Sequence, residues 1–261
     1  MTNISEIISG FQGVALSEMD RVKLMSRTDS KYWFGEESLV KLLDEMSQYY
    51  YILEVCNMRL LPYETTYFDT VDNEMYSNHH RGKMNRYKIR KRNYVTTQSG
   101  FLEVKFKNNK GRTIKSRQPS DYHTLEFNQQ EREFLRNNTP YSGEELRVSL
   151  KCHFSRITLV SKQFNERCTI DMDIKFQTSN SERELGNLVI VEVKRDGRSQ
   201  SHIIDALTRH RLTASGFSKY CIGRSINEEY LKHNNFKQKH REIGKIVMKS
   251  SNNTELWRLN G

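Results

Sequence analysis

The stretch RYKIRKR at residues 86–92 places a cation at every second position, with Tyr87 and Ile89 between the cations. Because side chains alternate between the two faces of a β-strand, such a strand has one charged face and one apolar face. The apolar face must pack on a core, whereas the charged face must meet water or anions. Three settings satisfy this constraint: a solvated sheet surface, a nucleic-acid interface, or a cavity that holds a polyanion.

The same alternation recurs in four later segments, at 101–107, 112–117, 166–174 and 188–195. Their charged faces mix several cations with a few carboxylates. For one strand alone a solvated surface is the simpler interpretation, since surface charge is the norm. A chain that repeats the pattern this often needs a common explanation.

Short strand candidates fill most of the chain, and the turn sequences NNKG at 108–111 and SKQFNE at 161–166 join two pairs of them into hairpins. Hairpins imply an antiparallel sheet, and this number of strands predicts a barrel or a sandwich. The strand candidates are 31–34, 61–69, 86–94, 101–107, 112–117, 152–161, 166–176, 188–195 and 218–223.

Two amphipathic helices are predicted at 36–48 and 200–212, where apolar residues recur at three- and four-residue spacing, with a short helix or turn at 72–80. The apolar stripes of the long helices must cover something, and the apolar strand faces are their natural partners. If the helices cover the outside of a closed barrel, the charged faces point inward. A lumen lined by Lys and Arg is costly unless anions fill it. A polyphosphate chain with a metal ion would do so.

The composition agrees with an anion-binding protein, since the formal net charge of the 261 residues is +10. The charge alone does not choose among nucleic acid, anionic lipid, nucleotide and phosphate.

The four cysteines form no CxxC pair, which favours reduced thiols over a metal site or disulfides. The first residues lack the pattern of a signal peptide, so we expect a cytoplasmic protein. We divide the chain into an N-terminal segment (1–17), one domain (18–224) and a basic C-terminal helix or tail (225–261).

An ordered set of motifs resembles the VTC domain, the polyphosphate polymerase branch of the triphosphate tunnel metalloenzymes. Each motif is weak alone, but together they follow the family's order over roughly residues 21–224. The resemblance implies an α+β fold in which an antiparallel barrel of eight strands forms a tunnel, with helices packed on the outside. The motifs are RTDSKYWF, YFDT, DNEMY, YKIRKRNY, FLEVKFK, IKSR, FSRITL, ERCTIDMD, IVEVKR and FSKYCIG.

The resemblance also implies roles for individual residues. Basic side chains are expected to grip phosphates and to serve catalysis, Glu192 to bind a divalent metal, and Glu103, Asp171 and Asp173 to be linked to that metal. Arg86 and Lys88 are interpreted as rim charges, and the adjacent His79 and His80 as a solvated loop pair. The expected phosphate-binding residues are Lys31, Arg90, Arg92, Lys105, Lys115, Arg117, Arg156, Arg167, Lys194, Ser218 and Lys219.

The implied activity is transfer of the γ-phosphate of ATP to a growing polyphosphate chain, with Mn²⁺ or Mg²⁺ as cofactor. An inorganic triphosphatase and a non-catalytic polyphosphate sensor would use the same tunnel. A nucleic-acid-binding module is the weakest alternative, because duplex binding requires an outward basic surface. The eukaryotic relatives work in membrane complexes, which implies a separate membrane-protein partner.

Two departures from the family patterns bear on this expectation. Phe154 stands where the eukaryotic polymerase pattern has a tyrosine, so one hydroxyl contact with the substrate is lost. The ExExK signature of the wider tunnel superfamily is absent, and the corresponding stretch SRTDSK has only Asp29 as an acidic residue. The second departure is typical of the VTC branch and argues against a plain triphosphatase or an adenylate cyclase.

Overall fold

The computed structural model describes residues 4–22, 27–197 and 199–249. The α-helices in these ranges are α1 Ile4–Ser9, α2 Glu36–Met46, α3 Glu74–His80, α4 Gln129–Asn138, α5 His202–Arg209, α6 Lys219–Asn227 and α7 Lys237–Met248. The strands are β1 Gly13–Ala15, β2 Arg27–Gly35, β3 Tyr50–Glu54, β4 Leu61–Thr70, β5 Arg86–Tyr94, β6 Ser99–Lys107, β7 Thr113–Ser120, β8 Leu146–Ser161, β9 Glu166–Gln177, β10 Glu182–Glu184 and β11 Leu188–Asp196. No helix among these residues is both long and apolar enough to cross a bilayer.

Eight strands form one continuous antiparallel path, in the order β2-β11-β9-β8-β4-β5-β6-β7. This confirms the predicted eight-stranded antiparallel sheet and both predicted hairpins. The sheet is open and does not close into the predicted barrel. Its path ends at β2 and β7, and the described residues form no strand pairing between these two strands. At the β2 edge the backbone N–H of Ser215 instead donates to the Lys31 carbonyl at 2.8 Å. The residues before α6 therefore border the seam where a barrel would close.

The predicted helices α2 and α5 cover the outer apolar face of β2, β11 and β9. Leu39, Leu42 and Leu43 of α2 are fully buried, and so are Ile203 and Leu207 of α5. They share one cluster with apolar side chains of the three strands. Full burial of one such side chain stabilises the fold by about 1.5–3 kcal/mol. This packing orients the charged faces of these strands toward the other side of the sheet.

The segment 218–223 is a helix rather than the predicted strand. Helix α6 begins after Ser218, whose hydroxyl accepts a hydrogen bond from the backbone N–H of Cys221 at 3.2 Å. Nearly every residue of α6 is buried, and its short apolar run at 220–222 does not distinguish a buried helix from a strand. A Cβ at Gly223 would lie 2.6 Å from Leu150 and 2.8 Å from Phe176, which shows how closely α6 packs against β8 and β9.

A β-bulge separates two acidic residues that the sequence places on one face. Asp173 has a φ of +52° and is exposed, whereas Asp171 is buried. The pairing of β8 with β9 shifts register at this point. An extra residue in a strand reverses the side-chain alternation beyond it. Asp173 therefore faces outward, where it raises the pKa of Glu36 at the start of α2 in addition to the effect of burial.

Leu42→Ala should lower the free energy of unfolding by about 2–5 kcal/mol, because it leaves a cavity between α2 and the sheet. Urea unfolding followed by circular dichroism measures this change. Val71→Ala is the matched control, since Val71 is 72% exposed and should change the free energy by less than about 0.5 kcal/mol. Equal effects of the two substitutions would contradict the packing of α2 described here.

Candidate functional site

The charged strand faces and the first residue of α6 meet in one interior, here called the basic interior. Ion pairs between neighbouring strands organise this set around three carboxylates. The cations are Lys31, Lys88, Arg90, Arg92, Lys105, Lys115, Arg156, Arg167, Lys194 and Lys219, and the carboxylates are Glu103, Asp171 and Glu192.

Glu103 of β6 joins β5 to β7. Arg90 Nε donates to Glu103 Oε2 at 2.7 Å, and Lys115 Nζ forms an ion pair with Oε1. The Glu103 side chain is completely buried. Burial alone would raise the pKa of Glu103, but Arg90, Arg92 and Lys115 hold this pKa well below its usual value. The carboxylate is therefore ionised and fixes the positions of two cations.

Asp171 of β9 forms the second centre. Arg156 of β8 binds it with both arms of the guanidinium, with Nε 2.5 Å from Oδ1 and Nη2 2.8 Å from Oδ2. Lys219, the first residue of α6, also pairs with Asp171. Burial opposes ionisation of this carboxyl, yet Arg156 and Lys219 hold its pKa well below the usual value. Such bidentate pairs fix geometry as well as charge.

Glu192 of β11 is the most accessible of the three carboxylates. Lys31 and Lys194 approach its Oε1 atom at 3.0 and 2.8 Å. Its side chain is 23% exposed, compared with 0% for Glu103 and 5% for Asp171. Burial would raise the pKa of Glu192, but Lys194 and Lys31 keep it well below its usual value.

The cations of the basic interior outnumber its carboxylates. The pKa of Lys105 is lowered strongly, first by Arg90 and then by burial and Arg92. Burial together with Arg90 and Arg156 likewise lowers the pKa of Arg92, whose Nε donates to Thr65 Oγ1 at 3.2 Å. Mutual repulsion of this kind is relieved when an anion binds.

Most of the predicted site residues lie together in this interior, with two exceptions. Asp173 faces outward because of the bulge in β9. Arg117 is exposed on β7, with its guanidinium 4.8 Å from the Phe101 ring centroid. Ser218 serves as the N-cap of α6 and accepts a hydrogen bond from Lys88 Nζ at 3.1 Å. Lys88 is thus part of the interior rather than of its rim. It lies two residues before Arg90 on β5, so the sequence already places both side chains on the same face.

A divalent metal fits the basic interior at Glu192 rather than in a preformed cage. Among the residues that the structure describes, no three His, Cys, Asp or Glu side chains cluster as metal ligands. Each of the three carboxylates pairs with two cations, but Glu192 is the most exposed of them, and both of its lysines contact the same oxygen, Oε1. Mg²⁺ is usually held by one or two carboxylates together with substrate phosphates. The donor set therefore suits a metal that binds together with a phosphate chain.

Comparison with known proteins identifies one matching family model, the VTC domain, over residues 26–227. No curated protein matches the sequence significantly. A putative adenylyl cyclase from Hippeastrum, described as having a dominant triphosphatase activity, is a structural neighbour with 15% identity and a TM-score of 0.49, covering 77% of this chain and 96% of its own. The PH1012 protein from Pyrococcus horikoshii OT3 has 9% identity and a TM-score of 0.41, covering 72% and 94%. Likeness at this level carries no argument about activity.

The lowered lysine pKa values predict that anion binding takes up protons at alkaline pH. Lys105, Lys194 and Lys219 have pKa values below 10.5 in the free protein. A bound anion raises these values, so protons are taken up between the free and bound pKa values, and affinity falls as pH rises through that range. Calorimetry of tripolyphosphate binding in two buffers of different ionisation enthalpy measures the uptake. Buffer-independent heats at alkaline pH would contradict this prediction, and Lys105→Met should reduce the uptake.

Proposed function

This chain belongs to the VTC domain family, and on that premise we propose that it is a metal-dependent phosphotransferase that lengthens polyphosphate with ATP. The observation that supports the proposal is the excess of cations over carboxylates in the basic interior, where Arg90 and Arg92 are buried and most of the others are half-buried. An excess of this kind suits a ligand with many closely spaced negative charges. A triphosphate and a polyphosphate chain are such ligands.

In the proposed reaction a terminal oxygen of the polyphosphate chain attacks the γ-phosphorus of ATP. The new P–O bond lengthens the chain by one phosphate, and the bond to the β-phosphate oxygen breaks, so that ADP leaves with the electron pair. Charge spreads over the oxygens of the transferred group, and catalysis consists mainly of positioning and electrostatic stabilisation. This chemistry requires several fixed cations, which the basic interior contains.

The cations divide into two groups in this mechanism. One group holds the triphosphate or product chain, and its members are Arg90, Arg92, Lys115, Arg156 and Arg167. The other group orients the transferring phosphate, and its members are Lys31, Lys105, Lys194 and Lys219. A divalent metal, Mg²⁺ or Mn²⁺, would be held by Glu192 and would neutralise charge on the phosphate oxygens.

The same site acts as a triphosphatase when water is the acceptor, and as a sensor when no transfer occurs. Incubation of the purified protein with ATP and Mn²⁺ separates these functions. Long-chain polyphosphate supports the polymerase, whereas orthophosphate released from tripolyphosphate without chain growth indicates the hydrolase. Tight polyphosphate binding with neither product would leave the sensor.

Arg92→Gln should reduce the rate of phosphoryl transfer by about 100-fold, the usual cost of removing one stabilising donor. Arg92 is the most informative cation to change, because it donates to Thr65 and forms no carboxylate ion pair in the described part of the chain. The substitution therefore leaves no buried carboxylate unpaired, and the melting temperature should not fall. The exposed Arg136, on α4, provides a matched Arg→Gln control that should retain the wild-type rate. A wild-type rate in Arg92→Gln would contradict the assignment.

Glu192→Gln should abolish transfer and weaken the binding of Mn²⁺ in the presence of tripolyphosphate. The amide keeps the size of the side chain but loses the charge that a metal requires. Electron paramagnetic resonance of Mn²⁺ measures this binding without reference to turnover. Glu182→Gln is the control, since Glu182 pairs with Lys175 at 2.6 Å on the surface. Unchanged Mn²⁺ binding in Glu192→Gln would exclude Glu192 as the metal ligand.

A further inference from the structure

A second group of basic side chains lies at one end of the basic interior. Arg86 pairs with Lys107 in the register of β5 and β6, two residues before the pair Lys88 and Lys105. Side chains two residues apart on a strand share a face. The row of cations that includes Arg90 therefore continues past Lys88 to the end of both strands.

His79, in the last turn of α3, lies beside this end of the row. Its Nδ1 atom is buried without a hydrogen-bond partner. Burial, followed by the charges of Lys88, Arg86 and Lys107, lowers the pKa of His79 to about 2. The imidazole is therefore neutral, and one of its nitrogens is unsatisfied among three cations. This environment differs from the solvated loop that the sequence suggests.

The neighbouring cations lack acidic partners. In the ranges that the structure describes, no carboxylate forms an ion pair with Arg86, Lys88 or Lys107. Arg86 Nη1 donates to the Lys83 carbonyl at 2.6 Å, and Lys88 donates to the Ser218 hydroxyl. This contrasts with six cations of the basic interior, which pair with Glu103, Asp171 or Glu192. Half-buried cations without carboxylates repel one another, and an anion would relieve that repulsion.

We propose that His79, Arg86 and Lys107, here called the outer basic cluster, form an additional binding subsite for the phosphate chain, next to Lys88 of the basic interior. The chain would run along β5 from the basic interior to this end of the strands. Arg86 and Arg92 are six residues apart, which corresponds to about 20 Å at ~3.4 Å per residue. A triphosphate is much shorter than this distance, so the row of cations is matched to linear polyphosphate. The inference rests on the proposed function only in requiring that the basic interior binds phosphate.

Binding of two anions of different length tests this subsite. The double variant Arg86→Gln/Lys107→Gln should bind medium-length linear polyphosphate at least tenfold more weakly, since each charge-assisted contact contributes about tenfold or more. Its affinity for tripolyphosphate should change by less than about twofold, because a short anion occupies the basic interior. Lys110→Gln is the control, since Lys110 lies exposed in the β6–β7 turn and the substitution should change neither affinity.

The outcomes separate this inference from the proposed function. Unchanged polyphosphate affinity in the double variant, or an equal loss for both anions, would overturn the subsite. Failure of the wild-type protein to bind tripolyphosphate would instead overturn the proposed function. A second measurement uses the unmodified protein: the imidazole resonances of His79 should shift on addition of polyphosphate but not of tripolyphosphate. Identical spectra with the two anions would also overturn the subsite.

Discussion

The ionised, fully buried carboxylate of Glu103 is the constraint on which the charged half of the sheet depends. A carboxylate removed from water is stable only when cations and hydrogen bonds replace its hydration. Arg90 and Lys115 supply this replacement from the strands on either side of β6. The three strands must therefore keep their register, because a slip by one residue would turn the cations away from the carboxylate. Asp171 imposes the same condition on β8, β9 and the start of α6.

The carboxylates and the surplus lysines affect stability in opposite directions. The pKa values of Glu103 and Asp171 are lowered in the fold, so they stabilise it above about pH 4.5, and this contribution is lost as the pH falls through their folded values. The pKa values of Lys105 and Lys219 are also lowered, so the unfolded chain binds these protons more tightly and the fold is penalised below their unfolded values near 10.5. The apolar contacts of α2 and α5 outside the sheet must offset that penalty. The surplus lysines therefore do not stabilise the fold, which agrees with the ligand-binding role proposed for them.

Charged residues at every second position of a strand predict most of the side chains of the basic interior, because the alternation of side chains between the two faces is a local property of strands. It correctly groups Arg90 with Arg92 and Lys105 with Glu103. It fails at Asp173, where a bulge that leaves no clear mark in the sequence reverses the alternation. Periodicity fails for α6 because its apolar run at 220–222 is short, and a run of that length does not distinguish a buried helix from a strand. Helix α4 was missed although Asn128 and Glu131 form a capping box, a signal that the sequence does contain.

Helix α6 links the packing of the fold to the chemistry of the interior. Its first turn carries Lys219 to Asp171 and follows Ser218, which accepts a hydrogen bond from Lys88. The position of that turn depends on the close contact of Gly223 with Leu150 and Phe176 one turn further along. A side chain at Gly223 would force Leu150, Phe176 or α6 itself to shift. The charge pattern of the strands therefore determines which ligand the interior suits, whereas the packing of α6 helps to position Lys219 and Ser218, which we propose to bind phosphate.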